Sequence, residues 1–453
     1  MNLRILITSL CALMAITATG QQKLSKILAL QDIDSLVATL ETIHYNPYLH
    51  ITKTAFHKNV TEIKHSIPDT IEFKDYLLKL YKITASLQDG HAMPAIVQPA
   101  LRSELVGANF LPLKLVVDNK KVYAGSRGIF SLPPDAQIKH INGLSLEKSL
   151  LELEQLLGGS KNFTQEMAAK LLSYFLFLQG VQPPFTIEYI TSTKQTKKDK
   201  INNGITFIEM IHISMPHLKE QNSFRVMSHE GAYLNFISMN GDLQQWGSFL
   251  DSAFIEMRAM EIKNLYIDIR NNSGGNSLFG NYLLAYLTKE KFLFSSGKCW
   301  KISARMKQYQ QQNGSFNKEY QSRETGTNWC YDKCIPEENP VIADSIFNGK
   351  VYLLTSPFTF SSANMLADAF KTFHLGTIIG ESTGEYTNDF GEVMQFELPN
   401  SKIKIQTTTS FEYGADCDKT SFHTVSPDII IKPSLDDKIR GNDAVMRYLL
   451  KVK

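Results

Sequence analysis

The chain has 453 residues, of which 43% are hydrophobic and 20% charged. At roughly 150 residues per domain this is a core-forming globular protein with room for about three domains, and disorder as the main state is excluded. Its 47 Lys and Arg stand against 45 Asp and Glu. The positive excess that phosphate neutralisation requires is missing, so nucleic acid is not an expected partner.

Residues 1–20 carry one charge, Arg4, then an apolar run from Ile5 to Ile16 and a small-residue exit, Ala18-Thr19-Gly20. That order predicts a secretory signal cleaved after Gly20. The run is shorter than the roughly 20 residues of a bilayer span, and no later segment reaches that length. The expectation is an exported protein, periplasmic or extracellular, with no integral membrane segment after signal removal. Cys11 lies mid-run behind Leu10, which argues against a lipid anchor. The other cysteines are Cys299, Cys330, Cys334 and Cys417. In an oxidising compartment they allow two disulfides in three connectivities; free thiols, or half of a zinc site on Cys330 and Cys334, are the alternatives. No cofactor and no metal is expected.

Residues 21–104 show apolar residues at helical spacing (Leu36, Leu40, Ile43; then Phe73, Tyr76, Leu77, Leu80, Tyr81), punctuated by Pro47 and Pro68, and predict a helical region. It ends in the polar turn Asp89-Gly90-His91. Residues 105–204 read as a β-rich module with one or two helices. Its strands fall at Phe110–Val117, Lys121–Ala124 and Phe185–Ile190, and it closes in the polar tract Ser192–Lys200. From 205 to 453 apolar strands (265–269, 351–355, 377–379) alternate with helical stretches (278–287, 362–373), the pattern of an α/β core. Residues 301–345, polar around two close cysteines, form an excursion from it.

Three stretches carry possible chemistry. The strand from Leu265 runs into Asp268-Ile-Arg-Asn-Asn-Ser-Gly274-Gly275, where paired glycines let backbone N–H groups approach a ligand. Thr355-Ser-Pro-Phe-Thr-Phe-Ser361-Ser362-Ala is a strand, a turn and a helix start, which places Ser361 where N–H groups favour negative charge; a plain Ser N-cap is the bland reading. His91 has the side chain suited to proton transfer near neutrality, although a turn histidine is often only a surface residue.

Together and in this order the stretches resemble peptidase family S41, the tail-specific and tricorn-like serine proteases. Asp268 to Gly275 resembles that family's D-L-R-x-N-x-G-G loop, Thr359-Phe-Ser-Ser its nucleophile turn, Gly380-Glu-Ser-Thr its following strand end, and Val425-Ser-Pro-Asp-Ile-Ile its terminal strand. The spacing from Ser361 to Glu381 superposes the motifs without a gap and selects Ser361 over Ser362. Pro133-Pro-Asp-Ala-Gln-Ile-Lys-His-Ile-Asn-Gly is similar to the signature of PDZ modules, which this family inserts before its core. The resemblance implies a ClpP/crotonase-like α/β protease core with an N-terminal helical region and a PDZ-like β-rich insert.

The tail-specific branch activates its serine with a Lys just after G-E-x-T, and no Lys lies between Lys371 and Lys402. Asp89-Gly90-His91 resembles the D-G-H turn of the tricorn-like branch, which uses His. The resemblance therefore implies an exported serine endopeptidase acting on polypeptides, with Ser361 as nucleophile, His91 as base, and an oxyanion hole from Ser362, Gly274 and Gly275. The branch's acidic position falls at Ser421, so Asp418 is the nearest candidate to orient His91. Capture of a substrate C-terminus is the expectation the PDZ-like insert adds, with Val106-Gly-Ala-Asn-Phe the nearest match to a carboxylate-binding loop. The alternatives are an inactive S41-like protein binding peptides or apolar ligands, and a crotonase-type acyl-CoA enzyme, which the signal segment and the Ser-on-helix motif disfavour.

Overall fold

A computed structural model describes residues 23–451, apart from 127, 131, 134, 315–316 and 342–344. The expected signal segment lies outside the described residues. Among them, no helix is long and apolar enough to cross a membrane.

The N-terminal region is helical as its periodicity predicts, with helices Lys26–Ile43, Lys53–His65 and Phe73–Ala85. Their apolar stripes (Leu36, Leu40; Phe56, Val60; Tyr76, Leu77, Leu80) are buried and join one hydrophobic cluster that continues through the β-rich module and on to Phe358, Phe360, Phe396 and Ile405. In that module an antiparallel sheet runs Leu115–Asp118, Lys121–Ala124, Gln137–Ile141, Phe185–Ile190, Thr196–Ile201. The strand expected from Phe110 begins only at Leu115. Pro112 cannot donate to a ladder, and Phe110 makes a single bridge, to Ile205. The lysine-rich tract after Thr191 forms the exposed arm of a hairpin, as a solvated edge should.

The third part is built on a six-stranded sheet in the order Ser223–Ser228, Gly231–Asn235, Asn264–Asp268, Lys350–Thr355, Thr377–Gly380, Ile429–Ile430. Every pair but the first is parallel. Leu265, Ile267 and the adjacent Leu353 and Leu354 are fully buried, as a parallel sheet covered on both faces requires. Helix Ser362–Thr372 lays Ala363, Leu366, Ala367 and Phe370, spaced at i, i+3, i+4 and i+7, against helix Ser277–Ala285 in a second cluster.

A separate antiparallel sheet runs Asn328–Asp332, Gly297–Lys301, Lys404–Tyr413, Asp389–Glu397. The polar excursion thus supplies a strand, Asn328–Asp332, fastened by the Cys299–Cys330 disulfide. Cys334 pairs with Cys417. Cys330 and Cys334 therefore take different partners, and the thiol and zinc readings do not apply.

Candidate active site

Two features of register assemble the site. Strands Asn264–Asp268 and Lys350–Thr355 pair in parallel with Asp268 beside Leu354, so both end at the same edge of the sheet, where open α/β sheets place ligands. The loop 269–275 and the turn 356–361 then run side by side and are laced together. Ser356 Oγ donates to Arg270 O (2.5 Å), Thr359 Oγ1 to Ile269 O (3.0 Å), and Phe360 N to Asn272 O (3.2 Å). Below the loop, Arg270 is fixed by Asp268 and Asp443 and Asp268 by the Tyr233 hydroxyl. This packing accounts for the D-x-R pattern as scaffold.

Ser361 precedes helix Ser362–Thr372 with φ 54° and ψ −132°, a region that side chains rarely adopt. Its hydroxyl makes no capping hydrogen bond, so the plain N-cap reading fails. It lines a cleft of about 790 Å³. The Ser362 hydroxyl is committed to Gly275 O at 2.7 Å, which leaves Ser361 the free hydroxyl of the pair.

Gly274 is held at φ +88°, and a Cβ there would lie 2.7 Å from Ser361 Cβ and 2.8 Å from Ser362 N. Only glycine permits the loop to press on the serine turn so closely. Its N–H donates to Asn272 Oδ1 at 2.9 Å, and the buried Asn272 amide in turn donates to Phe236 O. Gly274 was expected as an oxyanion donor; its N–H instead closes this side-chain turn, and its contribution is the close approach. Gly275 and Ser362 also line the cleft, and among the described residues neither N–H is taken up by a protein acceptor.

His91 arrives from the N-terminal region. The short strand Met93–Pro94 pairs with Ile405 and Gln406, and Gln406 Nε2 donates to His91 O at 2.8 Å. The ring, 9% exposed, lies against Phe360, centroid to centroid 4.7 Å, and Phe360 stacks on Phe163. His91 is thus packed on the residue next to Ser361. Nδ1 lies 3.6 Å from Asp89 Oδ1 and 3.5 Å from Glu385 Oε1, and among the described residues neither ring nitrogen has a hydrogen-bond partner. Catalytic contacts of this kind are often long before substrate binds.

Asp418 does not orient His91. It is exposed, and its carboxylate accepts from Thr420 N and Thr420 Oγ1. Its loop is turned outward because Asn388 Nδ2 donates to both Asp418 O and Ser421 O. The carboxyls that face His91 are Asp89 and Glu385, which sequence reasoning missed as functional groups.

Three buried carboxyls, Asp89, Glu385 and Asp389, act on one another here, and their environments drive them apart. Burial alone would raise Asp89, but the hydrogen bond from His44 and the His91 ring 3.6 Å away outweigh it and hold Asp89 far below the ordinary carboxylate range. Burial pushes Glu385 well above that range. The Asp389 carboxyl adds to the shift, and the Ser361 N–H, which Glu385 accepts, opposes it. Asp389 is raised in the same way, by burial and by Asp89. Like charges this close in a low dielectric do not all ionise readily; the donors around Asp89 favour its charged form, and burial favours the neutral acid at Glu385 and Asp389. Among the described residues no three His, Cys, Asp or Glu side chains gather as a metal set.

The model for peptidase family S41 matches residues 230–431, the segment that holds both laced loops. No curated protein matches the chain. The fold is similar to that of mature CPAF, at 14% identity and a TM-score of 0.63 over 94% of this chain and 96% of that one. It is also similar to a CPAF mutant, at 14% and 0.66 over 94% and 96%. The photosystem II D1 C-terminal processing protease aligns over 95% of this chain and 99% of its own, at 14% identity and a TM-score of 0.42. Over residues 230–431 the chain is thus similar to peptidase family S41, the family of serine-type peptidases its motifs resemble.

Proposed function

We propose that the chain is an exported serine endopeptidase of the tricorn-like, His-using kind, with Ser361 and His91 as its reacting side chains. In this reading the Ser361 hydroxyl loses its proton to His91 Nε2 as Oγ adds to the scissile carbonyl. Asp89 and Glu385, both on the Nδ1 side, leave Nε2 to face the serine and set the tautomer. The N–H groups of Ser362 and Gly275 receive the oxyanion; one such donor is typically worth about 100- to 1,000-fold in turnover. His91 returns the proton to the leaving amine, and water activated by the same imidazole hydrolyses the acyl-enzyme.

The observation that carries this reading is Ser361 itself, a non-glycine residue held at positive φ with an uncommitted hydroxyl in the cleft. Strain of this kind persists where surrounding structure over-determines it and is characteristic of a working nucleophile. Two disulfides suit an exported protein. The β-rich module at 105–204 is assigned as PDZ-like, capturing substrate by strand addition; equal cleavage of peptides with free and amidated C-termini would count against C-terminal capture.

The second reading, an inactive relative that binds peptides or apolar ligands, draws on the absence of a close hydrogen bond to either nitrogen of His91. Turnover of casein or a fluorogenic peptide library separates the two: hydrolysis by the wild-type chain and none by Ser361→Ala supports the peptidase, and equal rates in both exclude it.

A further inference from the structure

Behind His91 lies a second histidine that the mechanism above does not use. His44 follows helix Lys26–Ile43 and is fully buried, edge-on to Phe390 at 4.4 Å. Its Nε2 is 3.1 Å from Asp89 Oδ2. The same oxygen accepts from Thr408 Oγ1 at 2.7 Å, while Asp89 Oδ1 accepts the His91 backbone N–H at 2.8 Å. An ionised carboxylate only accepts, so the proton of the His44–Asp89 contact sits on His44 Nε2. His44 Nδ1 is buried without a partner. A bare lone pair there costs less than an unpaired N–H on a charged ring, which selects the neutral Nε2–H tautomer.

We infer that His44 is a positioning residue for the proton transfer: its Nε2–H and the Thr408 hydroxyl hold one oxygen of Asp89 so that the other fronts Nδ1 of His91. The inference rests on the reading of His91 as the base. Three segments distant in the chain meet at this one carboxylate. The His44 hydrogen bond is also the largest influence opposing the effect of burial on Asp89. Without it the carboxylate loses a donor, turns more readily in its site and is easier to protonate, and a neutral Asp89 no longer steadies an imidazolium at His91. His44 touches neither substrate nor nucleophile, so its loss should appear in kcat with KM kept.

The test compares His44→Phe, which keeps the ring against Phe390 and removes the donor, with His44→Gln, whose amide can donate to the same oxygen. His44→Phe is expected to lower kcat about ten- to a hundredfold with KM within about twofold, and His44→Gln to recover most of the loss. Histidine-selective nitrogen NMR of the full chain should show the His91 ring signals displaced in His44→Phe and near wild type in His44→Gln. Wild-type kcat in His44→Phe, equal impairment in the two variants, or unmoved His91 signals in His44→Phe would each overturn the inference. If His44→Phe does not fold, Thr408→Val removes the companion donor, and unchanged kcat and His91 signals there overturn it equally. Failure of the wild-type chain to hydrolyse peptides would instead sink the peptidase reading, and the His91 signals would still decide the role of His44.

Discussion

Glu385 Oε1 stands 3.5 Å from His91 Nδ1, and the same carboxyl accepts the backbone N–H of Ser361. One side chain therefore ties the proposed base to the proposed nucleophile, which come from opposite ends of the chain. Because burial favours the neutral acid at Glu385, it meets His91 with less charge added beside Asp89.

The neutral acid at Glu385 leads to the first prediction. Glu385→Ala should lower kcat about 100-fold or more, since it frees both the ring and the serine turn, whereas Glu385→Gln, close in shape and charge to the protonated acid, should retain far more. Asp418→Ala should stay within about twofold of wild type, because that carboxylate serves only its own turn. Steady-state kinetics on one fluorogenic peptide checks all three, and a large loss in Asp418→Ala would restore the residue to the site.

Gly274→Ala puts a methyl group within 2.7 Å of Ser361 Cβ, at a φ that alanine disfavours. The nearest atoms belong to the serine turn and its backbone, so relief requires moving Ser361, the proposed nucleophile. A shift of about 1 Å can cost on the order of 100-fold, and turnover should fall by at least that much. A crystal structure of the variant should show the 356–361 turn displaced; full activity would mean that the two loops are less tightly laced than described.

Stability should depend on pH through Asp368, on helix Ser362–Thr372. Burial raises its carboxyl to about 6, opposed by the Ala415 N–H that it accepts, with Asp416 adding to the rise. A carboxyl raised in the folded state makes folding take up a proton. Stability therefore falls as pH climbs from the unfolded value near 4 to about 6, and the loss persists above that. Asp368→Asn can still accept from Ala415 and should gain on the order of 2–3 kcal/mol at pH 7. Urea unfolding at pH 4.5 and pH 7 tests this, and an unchanged pH slope would remove Asp368 as its source.

Both disulfides frame the cleft. Cys299–Cys330 secures the strand that presents Tyr331, and Cys334–Cys417 joins that wall to the loop 414–423. Mild reduction should raise KM several-fold while labelling of the serine by a small reagent persists. Loss of labelling in step with KM would point to collapse of the core instead.

Much of the scaffold was legible because its periodicities are strong. The buried strands around Leu265 and Leu353 and the 3.6-residue stripe of Ala363, Leu366 and Phe370 need no tertiary information to be read. Ser361 and His91, the proposed nucleophile and base, were reachable through motif order. Glu385 was not, because it lies in a polar turn without periodicity and its burial depends on segments that only the fold brings together. Asp89 was in view as part of the D-G-H turn, yet nothing local reveals that His44 and Thr408 bury and ionise it. Asp418 was chosen for its place in the chain, and two hydrogen bonds from Asn388 turn its loop away.

The most direct measurement is active-site labelling by a serine-directed fluorophosphonate, with the modified residue located by mass spectrometry. The account predicts a single adduct at Ser361, lost in Ser361→Ala and strongly slowed in His91→Ala. An adduct at Ser362 or elsewhere, or undiminished labelling of Ser361→Ala, would contradict it.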